Sequence, residues 1–277
     1  TTANAIVTED KNVPSITATG GVLTCANPSV TLSATEVAGA TYVWKLGATQ
    51  VATTRQHAVS VAGTYTVTVT FTNGCTTTAN AIVTEDKNVP SITATGGVLT
   101  CANPSVTLSA TEVAGASYVW KLGATQVATT RQHAVSVAGT YTVTVTFTNG
   151  CTTTANAVVT EDKNVPSITA TGGVLTCANP SVTLSATEVA GASYVWKLGA
   201  TQVATTRQHA VSVAGTYTVT VTFSNGCTTT ANAIVTEDKN VPSITATGGV
   251  LTCANPSVTL SATEVAGASY VWKLGAT

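Results

Sequence analysis

The sequence carries little charge and has no long apolar run. Asp, Glu, Lys and Arg make up 8% of its 277 residues and the formal net charge is −1, whereas an average soluble domain is about 25% charged. So few cations cannot build a basic face for nucleic acid or a basic tract for an anionic membrane surface. The apolar runs fall far short of the roughly 18 residues that cross a bilayer. We therefore expect neither a nucleic-acid partner nor a membrane span in this chain.

Methionine is absent, aromatic residues make up only 5% of the chain, and no segment has the period of an amphipathic helix. What the sequence does contain is short segments in which apolar residues alternate with Thr or Ser. Residues 63–71 are the clearest case, with Tyr65, Val67 and Val69 on one face and threonines on the other. Alternation of this kind, interrupted by turn residues, predicts strands and hence an all-β fold.

Almost the whole chain is one repeated unit. The proline at position 14 recurs every 76 residues, and the copies differ at only three positions, where Thr exchanges with Ser or Ile with Val. A fixed period of this length is typical of an array of small modules. An active site is normally needed once, whereas reach, stiffness and avidity grow with copy number. The repetition therefore favours a structural or multivalent function over an enzyme.

The domain boundaries follow the Pro-marked junctions. We expect complete repeats at 13–88, 89–164 and 165–240, preceded by the last strand of a truncated repeat at 1–12 and followed by the first half of another at 241–277. The first residue matches Thr77 and the last matches Thr49, so we expect a segment of a longer polypeptide.

Within the first complete repeat, six strands are predicted, over residues 14–19, 29–34, 42–46, 56–61, 63–71 and 76–84. Two glycines at positions 20 and 21 end the first of them. Asn73 and Gly74 form a strong hairpin turn. In the fourth strand, His57, Val59 and Val61 are expected on one face.

Two aromatic positions indicate an immunoglobulin-like β-sandwich of the PKD type. Trp44 lies on the third predicted strand, where it can fill the core, and Tyr65 lies where the chain enters its penultimate strand, like the tyrosine corner of immunoglobulin folds. Val67 stands where those domains have their second cysteine, so the usual core disulfide is absent. The repeats give six core candidates: Trp44, Tyr65, Trp120, Tyr141, Trp196 and Tyr217.

These motifs together resemble a known class of repeats. A cysteine before a Val-Thr-Leu strand, a Tyr-x-Trp strand, Gly-Thr-Tyr-Thr-Val-Thr-Val and Asn-Gly-Cys are similar to repeats of giant cell-surface proteins of Bacteroidota, above all SprB-type gliding-motility adhesins. The resemblance covers the whole chain. It implies a tandem array of Ig-like domains on the cell surface, exported by the type 9 secretion system.

Seven cysteines alternate at spacings of 50 and 26 residues. Because no metal-type CxxC is present, they predict disulfides and an oxidising, extracellular setting. The cysteines are Cys25, Cys75, Cys101, Cys151, Cys177, Cys227 and Cys253.

The pairing can be approached from strand length. Cys25 and Cys75 should lie at opposite ends of one sandwich, roughly 25 Å apart at about 3.3 Å per residue, whereas a disulfide needs Cα atoms within about 7 Å. In a head-to-tail array this favours bonds between consecutive repeats, Cys25 with Cys151 and Cys101 with Cys227. A bond within a repeat, Cys25 with Cys75, and free thiols remain open alternatives.

No residue pattern indicates catalysis, a metal or a cofactor. His57, with its copies His133 and His209, has no neighbouring ligand set, and a partly buried histidine beside Arg55 is expected. Glu9 and Asp10 lie in a linker but lack the alternating acidic pattern of a calcium loop, which favours solvated charges. We therefore predict that the protein is not an enzyme and has no cofactor.

The predicted function is a structural stalk segment of an extracellular repeat adhesin or filament. Its partners would be neighbouring repeats of the same chain, with other filaments or surface glycans as further candidates. The alternative is a multivalent array with a weak glycan- or protein-binding site in each repeat. The outward threonines beside Tyr65 are a possible surface for such binding, but exposed Thr is also common in any strand.

Overall fold

A computed structural model describes residues 1–275 of the chain, and every regular element in that range is a β-strand. The chain divides into two compact units, Thr1–Lys163 and Asn164 onwards. The first unit holds two eight-stranded β-sandwiches. The second holds one such sandwich and a two-stranded sheet.

The strands of the three sandwiches correspond one to one. In the first sandwich they are β1 (Ala18–Thr19), β2 (Gly21–Thr24), β3 (Val30–Ala34), β4 (Thr41–Leu46), β5 (Thr49–Ala52), β6 (Gln56–Val59), β7 (Gly63–Thr70) and β8 (Thr76–Asp86). In the second they are β9 (Ala94–Thr95), β10 (Gly97–Thr100), β11 (Val106–Ala110), β12 (Ser117–Leu122), β13 (Thr125–Ala128), β14 (Gln132–Val135), β15 (Gly139–Thr146) and β16 (Thr152–Asp162). In the third they are β17 (Ala170–Thr171), β18 (Gly173–Thr176), β19 (Val182–Ala186), β20 (Ser193–Leu198), β21 (Thr201–Ala204), β22 (Gln208–Val211), β23 (Gly215–Thr222) and β24 (Thr228–Asp238).

Each sandwich packs a three-stranded sheet on a five-stranded one. In the first sandwich the strand orders are β1-β3-β6 and β2-β8-β7-β4-β5. All neighbours are antiparallel except β2 and β8, which run parallel. In β3, β4 and β7 every second side chain points between the two sheets, and these side chains form one apolar core. The chain is thus a tandem array of Ig-like β-sandwiches, as the sequence predicted.

The six aromatic core candidates all lie inside these cores. Trp44, Trp120 and Trp196 are fully buried, and Tyr65, Tyr141 and Tyr217 are each 2% exposed. The indole nitrogen of Trp44 donates a hydrogen bond to the carbonyl oxygen of Thr54, 3.0 Å away. The hydroxyl of Tyr65 donates to the carbonyl oxygen of Val61 at 2.9 Å, which is the tyrosine-corner interaction. Val67, at the position of the missing core cysteine, is also fully buried.

Two predictions about the fourth strand and the first strand were wrong. The fourth strand ends at Val59, and Val61 is 57% exposed instead of sharing a face with Val59, because its backbone turns away to meet the tyrosine hydroxyl. Of the first predicted strand, 14–19, only Ala18–Thr19 is a strand, and after Gly20 the chain crosses to the other sheet as β2. A side chain at Gly20 would collide with the backbone carbonyl of Ile82 on β8, so glycine permits the crossing there.

Two further strands, β2 and β5, were not predicted from the sequence. β5 pairs with β4 through a tight turn after Leu46. β2 pairs with the end of β8, from Gly21 opposite Val83 to Thr24 opposite Asp86. This partner extends β8 two residues beyond its predicted end at position 84.

The chain segments outside the three sandwiches are largely exposed. Residues 241–275 contain only the short pair β25 (Ala246–Thr247) and β26 (Ser261–Ala262), and Trp272 there is 50% exposed. The last two residues of the predicted partial repeat 241–277 lie outside the described residues. Among residues 1–275 there is no helix with the length and apolarity that crossing a bilayer requires.

Candidate functional site at the junction of two repeats

A disulfide joins the two sandwiches of the first unit. Cys25 and Cys151 are bonded, with their Cα atoms 4.9 Å apart. Cys25 follows β2 in the first repeat, and Cys151 follows the Asn149-Gly150 turn between β15 and β16 in the second. We use "junction" for three segments that meet here: residues 24–26 of one repeat, the linker 86–90, and the turn 149–151 of the next.

The parallel pairing of β2 with β8 explains why these segments meet. It places Thr24 opposite Asp86, the last residue of β8. Cys25 therefore lies beside the point where the chain leaves the first sandwich and enters the linker. The β15–β16 hairpin of the next sandwich brings its turn back to the same point. The unpredicted strand β2 is what positions the cysteine.

Asn149 connects all three segments of the junction. Its side-chain nitrogen Nδ2 donates hydrogen bonds to Asp86 Oδ1 at 3.2 Å and to the carbonyl oxygen of Asn88 at 2.9 Å. Its Oδ1 accepts from the backbone nitrogen of Cys151 at 3.0 Å. Its own backbone carbonyl accepts from the nitrogen of Ala26 at 3.2 Å. One asparagine thus holds the linker, its own turn and the preceding repeat.

The residue after it must be glycine for two reasons. Gly150 has a φ of 78°, in the left-handed region that side chains disfavour. In addition, a Cβ atom there would collide with Ala26 of the preceding repeat. The Asn-Gly pair serves both the hairpin turn and the close approach of the two repeats.

The asparagine contacts recur in the other two complete repeats. Asn73 Nδ2 donates to the carbonyl oxygen of Asn12 at 2.9 Å and to Asp10 Oδ1 at 3.4 Å. Asn225 Nδ2 donates to the carbonyl oxygen of Asn164 at 2.8 Å. The sequence predicted Asn73 only as a turn residue. A signal for its second role is present in the sequence, because every Asn-Gly-Cys is preceded, 63 residues earlier, by an Asp-Lys-Asn linker.

The linker acids have partners of their own. Lys87 forms an ion pair with Glu85, and Lys11 forms the equivalent pair with Glu9. Asp10, the other linker acid considered for calcium, accepts the Asn73 hydrogen bond described above. The recess beside the junction holds about 150 Å³, whereas ligand pockets typically hold about 300–1,000 Å³. The junction is thus shaped for contact between repeats and has little room for a bound molecule.

The remaining cysteines fall into two groups. Cys101 and Cys227 are each disulfide-bonded, and their pairing with one another stays a prediction. Cys75, Cys177 and Cys253 are free thiols. Because Cys75 is free, the structure does not form the alternative bond within a repeat.

The histidines do not gather a ligand set. His57 is half-buried opposite Leu32 on the three-stranded sheet. Arg55, expected beside it, instead reaches Glu36 at 3.7 Å and the carbonyl oxygen of Ala34 at 3.4 Å. Within residues 1–275 no three His, Cys, Asp or Glu side chains come together as a metal-holding group.

No protein-family model matches the chain, and no curated protein matches it. Among solved structures it is similar to immunoglobulin domains 1–5 of Sidekick-1, at 12% identity and a TM-score of 0.35, over 80% of this chain and 58% of that one. An I-band fragment of titin gives 10% identity and 0.36 over 80% and 96%. Three N-terminal domains of the bacteriophage RB49 outer capsid protein Hoc give 14% and 0.36 over 81% and 100%. The chain therefore spans a little over half of the Sidekick-1 structure.

Proposed function

We propose that this chain is a structural stalk segment of an extracellular repeat adhesin, in which disulfides between consecutive repeats stiffen a surface fibre. The observation that carries the proposal is the junction. The bond between Cys25 and Cys151 crosses from one repeat to the next, whereas each sandwich has its own apolar core and no internal disulfide.

The junction restrains bending in a way that a linker alone does not. The backbone crosses it once through residues 86–90, and the disulfide crosses it a second time beside the linker. Asn149 adds hydrogen bonds to Asp86 and Asn88. Two covalent connections resist bending and pulling better than one flexible linker with a small interface. This suits a segment that transmits force along a fibre.

The cysteines and the sequence motifs support the proposed cellular setting. Disulfides of this kind persist in oxidising, extracellular compartments. The Asn-Gly-Cys and Tyr-x-Trp motifs resemble SprB-type adhesins of Bacteroidota, which supports display at the cell surface, export by the type 9 secretion system and a role in adhesion or gliding motility.

A multivalent glycan-binding array has less support. Sugars in proteins commonly stack on exposed aromatic rings, but in the complete repeats the large aromatic side chains are used in the cores. Trp44, Tyr42 and Tyr65 are all less than 10% exposed.

The proposal is tested by electron microscopy of the oxidised chain and of the cell surface that displays it. We expect single-file modules with an axial repeat of roughly 35–45 Å, the length of a strand plus a short linker. A variant with Cys25→Ser and Cys101→Ser is the matched control, and it should give fibres with the same repeat but much broader bending. Modules packed side by side, or equal bending in the two proteins, would contradict the proposal.

A further inference from the structure

We propose that the Asn149-Gly150 turn is a site of self-modification, at which Asn149 deamidates and releases the linker, and that the closed junction slows this reaction. Asparagine deamidates fastest when glycine follows it, since glycine has no side chain to hinder attack by its backbone nitrogen. This places a slow covalent change at the residue that holds the junction together.

The reaction needs no co-reactant other than water. The backbone nitrogen of Gly150 attacks Cγ of Asn149, and a nitrogen–carbon bond forms to close a five-membered imide. The bond from Cγ to Nδ2 breaks, and Nδ2 leaves as ammonia with the proton lost by the Gly150 nitrogen. Water then opens the imide at one of its two carbonyl carbons, giving aspartate or isoaspartate.

Hydrogen bonds of the folded junction restrain both reacting groups. The Gly150 nitrogen donates to the carbonyl oxygen of Phe147 at 2.9 Å, and the carbonyl of the same peptide unit accepts from Ala26 at 3.2 Å. The side-chain amide of Asn149 is held at both ends, by Asp86 and Asn88 on one side and by Cys151 on the other. Closing the imide requires the turn to rotate and these hydrogen bonds to break.

The product would open the junction. Deamidation replaces a donor by a carboxylate, 3.2 Å from an oxygen of Asp86 that is itself a carboxylate. Two like charges at this distance repel, and the carbonyl of Asn88 loses its donor. Isoaspartate also lengthens the backbone of the turn by one carbon. The linker contact would therefore be lost on that repeat, although the disulfide to Cys25 would remain.

The chain contains its own comparison, at Asn73. The Gly74 nitrogen donates to Phe71 at 2.9 Å, and the side chain makes the same kinds of contact. However, apart from its two chain neighbours, no residue has an atom within 4 Å of the Cβ position of Gly74, and within residues 1–275 no backbone donor reaches the Asn73 carbonyl. Cys75 beside it is a free thiol. This turn has the reactive pair without the preceding repeat packed on it.

The test is deamidation of the intact, oxidised chain at mildly alkaline pH, followed by tryptic digestion and mass spectrometry. Peptide 56–87 carries Ile82 and peptide 132–163 carries Val158, so these two peptides differ in mass. Peptide 208–239, with Ser224 and Ile234, has the same mass as peptide 132–163, so fragment ions that contain Val158 assign the Asn149 product. We expect Asn149 to react about tenfold more slowly than Asn73, the factor that one additional net hydrogen bond supplies. Asn80 and Asn156, each followed by alanine in the same peptides, should not react measurably.

A Cys25→Ser variant, with its neighbouring sandwiches still folded, separates protection by the junction from protection by the turn itself. In this variant the rate at Asn149 should rise towards that at Asn73, and the rate at Asn73 should not change. The proposal is overturned by equal rates at the two asparagines in the oxidised chain, by an unchanged Asn149 rate in the variant, or by no reaction at either turn. A further variant, Asn149→Asp, mimics the aspartate product. Its Asn88 backbone amide should exchange hydrogen faster than in the wild-type chain, because the linker is held less tightly.

Discussion

The Cα atoms of Cys25 and Cys151 lie 4.9 Å apart although 126 residues separate them in the sequence. That separation is one full repeat plus the distance from the first cysteine of a repeat to its second. Each repeat therefore offers one cysteine at its exit and the other at its entrance. The same arrangement can continue through any number of copies, which is what an array of modules requires.

Disulfide mapping without reduction should recover Cys25 joined to Cys151. The chain provides natural labels, because tryptic peptide 12–45 is the copy that carries Thr41 and peptide 132–163 is the copy that carries Val158. We expect these two peptides to be linked and to separate on reduction. Recovery of peptide 12–45 linked to peptide 56–87, which contains Cys75, would contradict the junction.

Removing the core tryptophan of one repeat should unfold that repeat and leave the others folded. Trp120 is fully buried, so Trp120→Ala should cost about 3–5 kcal/mol in the free energy of unfolding. The loss should be local because modules of an array couple mainly to their neighbours. Trp272→Ala is the matched control, since Trp272 is 50% exposed, and it should change stability little. Calorimetry that gave equal losses for the two variants would be incompatible with the core assignment.

The strands with clear alternation could be predicted from the sequence, as could the sandwich and its aromatic core. Residues 63–71 have a polar and an apolar face whichever partner they pair with, so β7 was found almost to the residue. The short strand β2 could not be found in this way. Gly21–Thr24 has too few residues for a period, and its parallel partner β8 lies some 60 positions later in the chain. Pairing between such distant segments leaves no local signal.

The candidate site was predictable only in part for the same reason. Cysteine spacing and strand length favoured a bond between repeats, because both quantities are local. The role of Asn149 depends on its hydrogen bond to the linker residue Asp86, which lies 63 positions earlier in the sequence. Only the folding of the second sandwich brings the two residues together. An asparagine before glycine is already explained by the turn it forms. The residues around it therefore give no separate indication that Asn149 also binds the linker.

The tyrosine corner should make the third repeat sensitive to alkaline pH. Burial raises the pKa of the Tyr217 phenol above its ordinary value of 10.0, and the hydroxyl donates to the carbonyl oxygen of Val213 at 2.8 Å. Because the folded state holds this proton more tightly than the unfolded state, its stabilising contribution is complete below pH 10 and is lost as pH rises towards the raised pKa. Denaturation of wild type and Tyr217→Phe, at neutral pH and above pH 10, measures this effect.

At neutral pH the variant should be less stable by about 1 kcal/mol, the usual net value of one hydrogen bond. The difference between the two proteins should shrink above pH 10, since the wild-type hydroxyl then loses its advantage. A difference that stays constant with pH would show that the phenol does not titrate between the two states.

The stiffness of the junction should not depend on calcium. Arrays that use calcium between domains bind it with linker carboxylates and carbonyl oxygens, the ligands this ion prefers. Here Asp86 Oδ1 and the carbonyl oxygen of Asn88 already accept hydrogen bonds from Nδ2 of Asn149, so an amide occupies the position a cation would need. Electron micrographs of the wild-type chain should therefore show the same spread of angles between the first two repeats with a chelator and with millimolar calcium. The variant Asn149→Ala, which lacks the amide, should show a wider spread. A spread that narrows with calcium in the wild-type chain would mean that the linker acids bind the ion after all.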